Sequence, residues 1–269
     1  MLKVTPDLVK AGFAPVAPCN DKSISMVLTA HEKSGKTSFA CTAPDPIAFI
    51  VTDAGSKQII RKFPHKDILV AEHAIQRDAD QAEWREEWKK MKNSILSAAT
   101  SPHVKTIVAD TGTEVYELLR LAEFGKLDKV LPSKYATTNK EMRDLLKICM
   151  QREDLNFVWI HKFKKEYIDR GDKGVANWTG KYESAGFGDA RFILDLAAVS
   201  HFHDPTRDEA GYFSMQVVGA TRQTAQAAGL VLRSDDEMMP LCFGSLAWSV
   251  YPETELDEWM TVAGPPDGT

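Results

Sequence analysis

Cysteine is scarce in this 269-residue chain, and nothing pairs it: Cys19, Cys41, Cys149 and Cys242 are widely spaced, with no CxxC. That excludes a disulfide framework and a cysteine zinc site, and it fits a reducing compartment. No run of about 18 apolar residues occurs, so no spanning helix and no membrane partner are expected. The start shows no basic stretch leading into an apolar one, and the expected location is the cytoplasm of a bacterial or phage-infected cell. An excess of positive charge is also missing. The net charge of −5 argues against coating nucleic acid by bulk electrostatics, while leaving room for a local basic patch. No internal repeat is visible.

What is present suffices for one large α/β domain, because a hydrophobic fraction of 43% can build a substantial core. Residues 1–22, with Pro6, Pro15 and Pro18, read as an arm, 23–261 as the domain, and 262–269 (VAGPPDGT) as a disordered tail. A buried strand is predicted over 23–29, followed by a Gly-Lys-Thr turn and a short helix that stops near Pro44 and Pro46. Residues 47–52 and 67–71 read as interior parallel strands. Over 80–96, Trp84, Trp88, Met91 and Ile95 fall at helical spacing, which favours core packing over stacking on bases. A strand at 106–109 precedes a helix with Val115, Leu118, Leu119 and Ala122 on one face. A further helix covers 134–151, and a strand at 155–160 ends in His161. The polar, glycine-bearing stretch 162–188 reads as a mobile hairpin or loop, and 193–201 and 212–218 as strands. The whole predicts a mostly parallel sheet with helices on both faces and antiparallel strands added at the C-terminal edge.

The strongest chemical signal is Ala30-His31-Glu32-Lys33-Ser34-Gly35-Lys36-Thr37. It matches G-x-x-x-x-G-K-[ST] everywhere except the first position, and it sits between a predicted strand and a predicted helix, as a phosphate loop must. Its backbone amides, through Ser38, would curl around a β-phosphate. Lys36 would neutralise the β- and γ-phosphates of ATP, and the Thr37 hydroxyl would coordinate Mg²⁺. Ala30 is tolerable in place of glycine if its φ is negative. Asp110 ends an apolar strand and is expected beside the loop strand, holding the Mg²⁺ shell with Thr37, unless it merely caps a helix. For activating water, Asp53 is the first choice, with Glu114 and Glu72 as alternatives and a capping role open for each.

His161 would face the γ-phosphate if its strand neighbours the loop strand, or else is an ordinary strand-end residue. His201 and His203 form an H-x-H pair without a third ligand, which favours a structural role. Arg222 or Arg191 could reach a neighbour's ATP. Lys162, Phe163, Lys164 and Lys165 form a small basic and aromatic cluster that is either a DNA contact or a solvated face.

With these residues placed, the chain resembles RecA-like P-loop NTPases of bacteriophage type, the AAA ATPase kind, and is particularly similar to the single-strand-annealing ATPases of the Sak group. The resemblance rests on Lys33-Ser-Gly-Lys-Thr-Ser-Phe-Ala40, Ala43-Pro-Asp-Pro46, Phe49-Ile-Val-Thr-Asp-Ala-Gly55, Thr106-Ile-Val-Ala-Asp110 and Phe157-Val-Trp-Ile-His161. Such proteins usually carry an acidic residue, commonly glutamate, followed by glycines after the second strand. Here Asp53-Ala54-Gly55 stands in its place. The resemblance implies a RecA-type core, ATP at the subunit boundaries of a ring or filament, and action on single-stranded DNA together with a single-strand-binding protein. Two rivals use the same loop. A nucleotide or small-molecule kinase needs an arginine-bearing lid, and 162–182 holds only one arginine, Arg170. A binding module would retain ATP as a switch without turning it over.

Overall fold

The computed structural model describes residues 22–126, 130–169, 176–207, 209–254 and 259. The arm up to residue 21 and the tail from 262 lie outside the described residues. Nine strands form one mixed sheet: β1 Ser25–Ala30, β2 Ile47–Val51, β3 Ile68–Glu72, β4 Thr106–Asp110, β5 Asn156–Asp169, β6 Ala176–Ser184, β7 Leu196–His203, β8 Tyr212–Ala220 and β9 Val231–Arg233. The order is β3-β2-β4-β5-β1-β7-β8-β9, with β6 paired to β5 outside this path. Neighbours from β3 to β7 are parallel, whereas β7–β8, β8–β9 and β5–β6 are antiparallel.

Every residue of β1, β2 and β4 is buried, as strands covered on both faces must be. The period of two divides them between two cores. Val27, Ile50, Ile107, Phe157 and Trp159 face one side. There they meet α3 Gln81–Thr100, α4 Gly112–Phe124 and α5 Tyr135–Cys149 through Trp84, Trp88, Met91, Ile95, Leu118, Leu119 and Leu145. Met26, Leu28, Phe49, Val108, Val158 and Ile160 face the other. That side is closed by α1 Lys36–Cys41 and α7 Phe243–Val250 through Phe39, Phe243 and Leu246. The tryptophan stripe is therefore core. α3 starts where the spacing placed it, because Asp80 and Glu83 form a reciprocal capping box.

Two expectations are corrected. The strand at 67–71 is not interior: β3 pairs with β2 and ends the sheet, leaving Leu69 57% and Val70 41% exposed. Its apolar run misled because an edge strand can carry the same composition. The 193–201 strand is not an antiparallel addition. β6 ends beside Phe163 at the carboxyl end of β1, and 185–195, with the single turn α6 Ala190–Ile193, carries the chain back to Ser25 at the entry end, so β7 runs parallel to β1. The stretch after His161, expected as a hairpin or loop, forms a hairpin: β5 continues to Asp169 and β6 runs antiparallel beside it.

Candidate functional site

The site lies at the carboxyl ends of the parallel strands, where the chain leaves β1 to one side and returns to β7 on the other, the usual crevice of an open α/β sheet. Ala30 is the buried last residue of β1. Lys33, with φ 59°, is the only non-glycine with a positive φ among the described residues, so alanine at position 30 carries no conformational penalty. Gly35 has φ 79° and caps α1, and a Cβ there would come within 3.2 Å of the Phe213 ring. The positive φ favours glycine, and the ring leaves a side chain little room.

Inside the loop, the His31 carbonyl accepts the Ser34 hydroxyl at 2.8 Å and the Lys36 ammonium at 3.3 Å. Ser200 of β7 donates to the Ser34 carbonyl at 2.6 Å. Glu32 and Lys33 are exposed at the loop's rim. Ser38 follows Thr37 in the first turn of α1.

Thr37 donates to Asp110 Oδ2 at 2.7 Å, and Ser56, in α2 Ala54–Ile60, donates to the same oxygen at 2.8 Å. Asp110 is thus not a helix cap; Thr111 caps α4. Nor does its strand adjoin the loop strand as expected: β5 lies between β4 and β1, and the side chains meet by converging over the end of β5. Burial pushes the Asp110 carboxyl above its ordinary range, and the Asp53 charge adds to this. The Thr37 and Ser56 hydroxyls and the Lys36 charge oppose it. A hydroxyl and a carboxylate brought together beside an ammonium form an oxygen donor set that suits Mg²⁺, and a bound cation would relieve the burial penalty on Asp110.

Asp53 lies two residues past β2 and caps α2, its Oδ1 accepting from Gly55 N at 2.9 Å. Glu72 pairs with Lys57 at the sheet's edge, and Glu114 with Lys162 at 2.7 Å. His161 does adjoin the loop strand, opposite Thr29. However, Trp159 donates to its Nε2 at 2.8 Å and Ser184 meets its Nδ1 at 2.7 Å. Both ring nitrogens are occupied, and burial lowers its pKa to about 4, so the ring offers no free nitrogen to a phosphate.

His203 bonds Ser214 at 2.8 Å and stacks on Tyr212. His201 stacks on Phe163, and its pKa is lowered by burial and then by His203 and His31. No cluster of three metal-ligating side chains occurs among the described residues. Arg191 lies over the Phe192 ring. Arg222 opens the 3-10 turn Arg222–Ala227, and its side chain lies outside what is described. Lys164 pairs with Glu183, and Lys165 lies over Trp178.

Sequence reasoning missed Ser56, Ser184 and Ser200, small hydroxyls without a motif. Only Ser56 left a signal, a hydroxyl in the first turn after Asp53.

Fold and site together define a P-loop nucleotide-binding domain built on a mostly parallel sheet. A family model of the AAA domain matches residues 22–185, more than half of the chain, and the chain belongs to that family. No curated protein matches its sequence. Among solved structures, it is similar to the RadB recombinase, with TM-score 0.45 and 8% identity over 79% of this chain and 87% of that one. It is also similar to a KaiC-like protein from hyperthermophilic archaea, Pyrococcus horikoshii OT3, with TM-score 0.41 and 12% identity over 75% and 81%. No helix among the described residues is long and apolar enough to cross a membrane.

Proposed function

We propose that this chain binds and hydrolyses Mg-ATP as a DNA recombination or single-strand annealing factor of the Sak-group phage type, acting on single-stranded DNA in the cytoplasm. Thr37 and Asp110 carry this assignment. They stand 73 positions apart, yet meet at 2.7 Å at the foot of a loop whose lysine is already turned inward. The amides of 31–38 and Lys36 would hold the triphosphate, and Thr37 with Asp110 the metal. The bound ion supplies electrostatic stabilisation of the phosphoryl oxygens. Ser56 fixes the Asp110 carboxylate. Asp53 Oδ1 is engaged in capping, and its Oδ2 is the atom that takes the proton from water.

The partners follow from the resemblance and one surface. ATP would lie at subunit boundaries of a ring or filament, completed by Arg222 or Arg191 of a neighbouring copy, and a single-strand-binding protein would deliver the DNA. The β5–β6 hairpin supports a single-strand contact. Tyr167, Trp178 and Tyr182 are 54%, 50% and 47% exposed, and Lys165 lies over the Trp178 ring, a pairing of ring and cation that suits stacking on bases with a phosphate contact.

Phosphate release with and without a single-stranded oligonucleotide tests the proposal. Release stimulated by DNA is expected, with a loss on the order of 100-fold in Lys36→Ala and in Asp110→Asn. Wild-type protein that gives neither phosphate nor heat with Mg-ATP defeats it. Tight binding without release is the outcome for a second reading, an ATP-held switch, which the capping engagement of Asp53 favours.

A further inference from the structure

We propose that the β5–β6 hairpin clamps the phosphate loop through His31, so that a single strand stacked on the hairpin raises the affinity for nucleotide. The inference rests on the proposed function for the identity of both ligands. It goes beyond that function by naming His31 as a positioning residue and the hairpin rings as its lever.

The register pairs Phe163 with Ser184, Lys165 with Tyr182 and Tyr167 with Trp178. Alternation along the strands therefore gathers Phe163, Lys165, Tyr182 and Ser184 on one face, while Lys164 and Glu183 pair on the other. The aromatic face lies against the loop. The His31 ring meets Phe163 at 4.7 Å between centroids and the edge of Tyr182 at 4.6 Å, with an interplanar angle of 88°. Tyr182 in turn touches Trp178, over which Lys165 sits at 5.1 Å. A chain of rings thus runs from solvent to the second residue of the loop. At its root the hairpin is pinned by Ser184, which takes the Thr29 hydroxyl at 3.2 Å and bonds His161.

His31 matters because of its carbonyl. That oxygen holds Ser34 Oγ and Lys36 Nζ, and Lys36 must leave it to reach a phosphate. While Tyr182 and Phe163 grip the ring, the His31 peptide is fixed in the orientation that retains the lysine. A base stacking on Tyr182 and Trp178 draws the tyrosine edge from His31, the peptide is free to turn, and Lys36 is released toward the nucleotide. The occupant is a single strand and not an apolar partner, because the Lys165 cation sits over the exposed Trp178 ring on a protein that is otherwise net acidic. Linkage requires the converse too: nucleotide must raise the affinity for the strand by the same factor.

The test is the dissociation constant of a non-hydrolysable ATP analogue with Mg²⁺, by calorimetry, with and without saturating oligothymidylate. Wild-type protein, His31→Ala and Tyr182→Leu are compared, each checked by its melting transition and by light scattering. The oligonucleotide should tighten wild-type binding by about tenfold. In His31→Ala that factor should fall to about one while the oligonucleotide still binds; Tyr182→Leu should lose the factor and part of the strand affinity. Retention of the wild-type factor in folded His31→Ala overturns the inference and leaves the proposed function standing, as does an oligonucleotide that weakens the analogue. A change of oligomeric state in Tyr182→Leu with unaltered oligonucleotide binding also overturns it, since the face is then covered by a second copy. Wild-type protein that binds no analogue or no oligonucleotide removes the proposed function itself, and the inference with it.

Discussion

β5 is two strands in one, and its halves differ in almost every physical respect. From Asn156 to His161 it lies between β4 and β1 with both faces covered, and every side chain is buried. From Phe163 onward it leaves β1, pairs with β6 alone and alternates aromatic residues with charges. The inner half can be apolar throughout because helices cover both its faces. The outer half faces water on at least one side, so its rings are available for contact. The same backbone thereby joins a rigid core to a responsive surface, with His161 at the junction.

Substituting one tryptophan in each half separates them most strongly. Trp159 is fully buried and packs against Gly112, where an added Cβ would collide with the indole. Trp159→Ala should cost about 3–5 kcal/mol in urea unfolding, as large buried aromatics do. Trp178→Ala, on the exposed hairpin, should stay within about 0.5 kcal/mol and show itself instead in oligonucleotide binding. Equal stability losses would mean that the hairpin is part of the cooperative core, and the contrast would fail.

The same contrast explains what could be read from sequence. Strands inside the sheet are continuous apolar runs, so β1, β2, β4 and the inner half of β5 were visible within one or two residues, and the loop motif fixed which of them carries phosphate. The polar, glycine-bearing 162–188 stretch reads as a hairpin or loop, and a hairpin forms there; its register depends on cross-strand pairing, which no local pattern encodes. Asp110 was found by its position at a strand end. Its partner Ser56 and the order β4-β5-β1 were not, because both arise from how strands are shuffled across the sheet. α7, FGSLAWSV, escaped because a short apolar run reads equally as strand or helix.

His161 offers a smaller test at the junction. Burial lowers its pKa to about 4 from an unfolded value of 6.5, so the unfolded chain binds the extra proton between these values. Its contribution is complete above pH 6.5 and is lost as pH falls toward 4, for a total on the order of 3 kcal/mol. His161→Gln should flatten that part of the stability-versus-pH curve measured by denaturant unfolding. An unchanged slope would mean that other groups carry the acid sensitivity and that the junction is not held by a neutral imidazole.

Ser184 should give the smallest effect and the most local one. The indole N–H of Trp159 can only donate, so His161 Nε2 accepts and Nδ1 carries the proton toward Ser184 Oγ. Ser184→Ala removes the acceptor of that proton and the partner of Thr29. The loss is about 1 kcal/mol, small because Ser184 is only partly buried and water can replace it. Its signature is spatial. Amide exchange should quicken along β6 and the outer half of β5 while the inner half stays protected, because opening a pinned hairpin does not require unfolding the sheet beneath it. Faster exchange in β1 as well would show that the serine holds the phosphate-loop strand and not just the hairpin, merging the two halves of β5 into one unit.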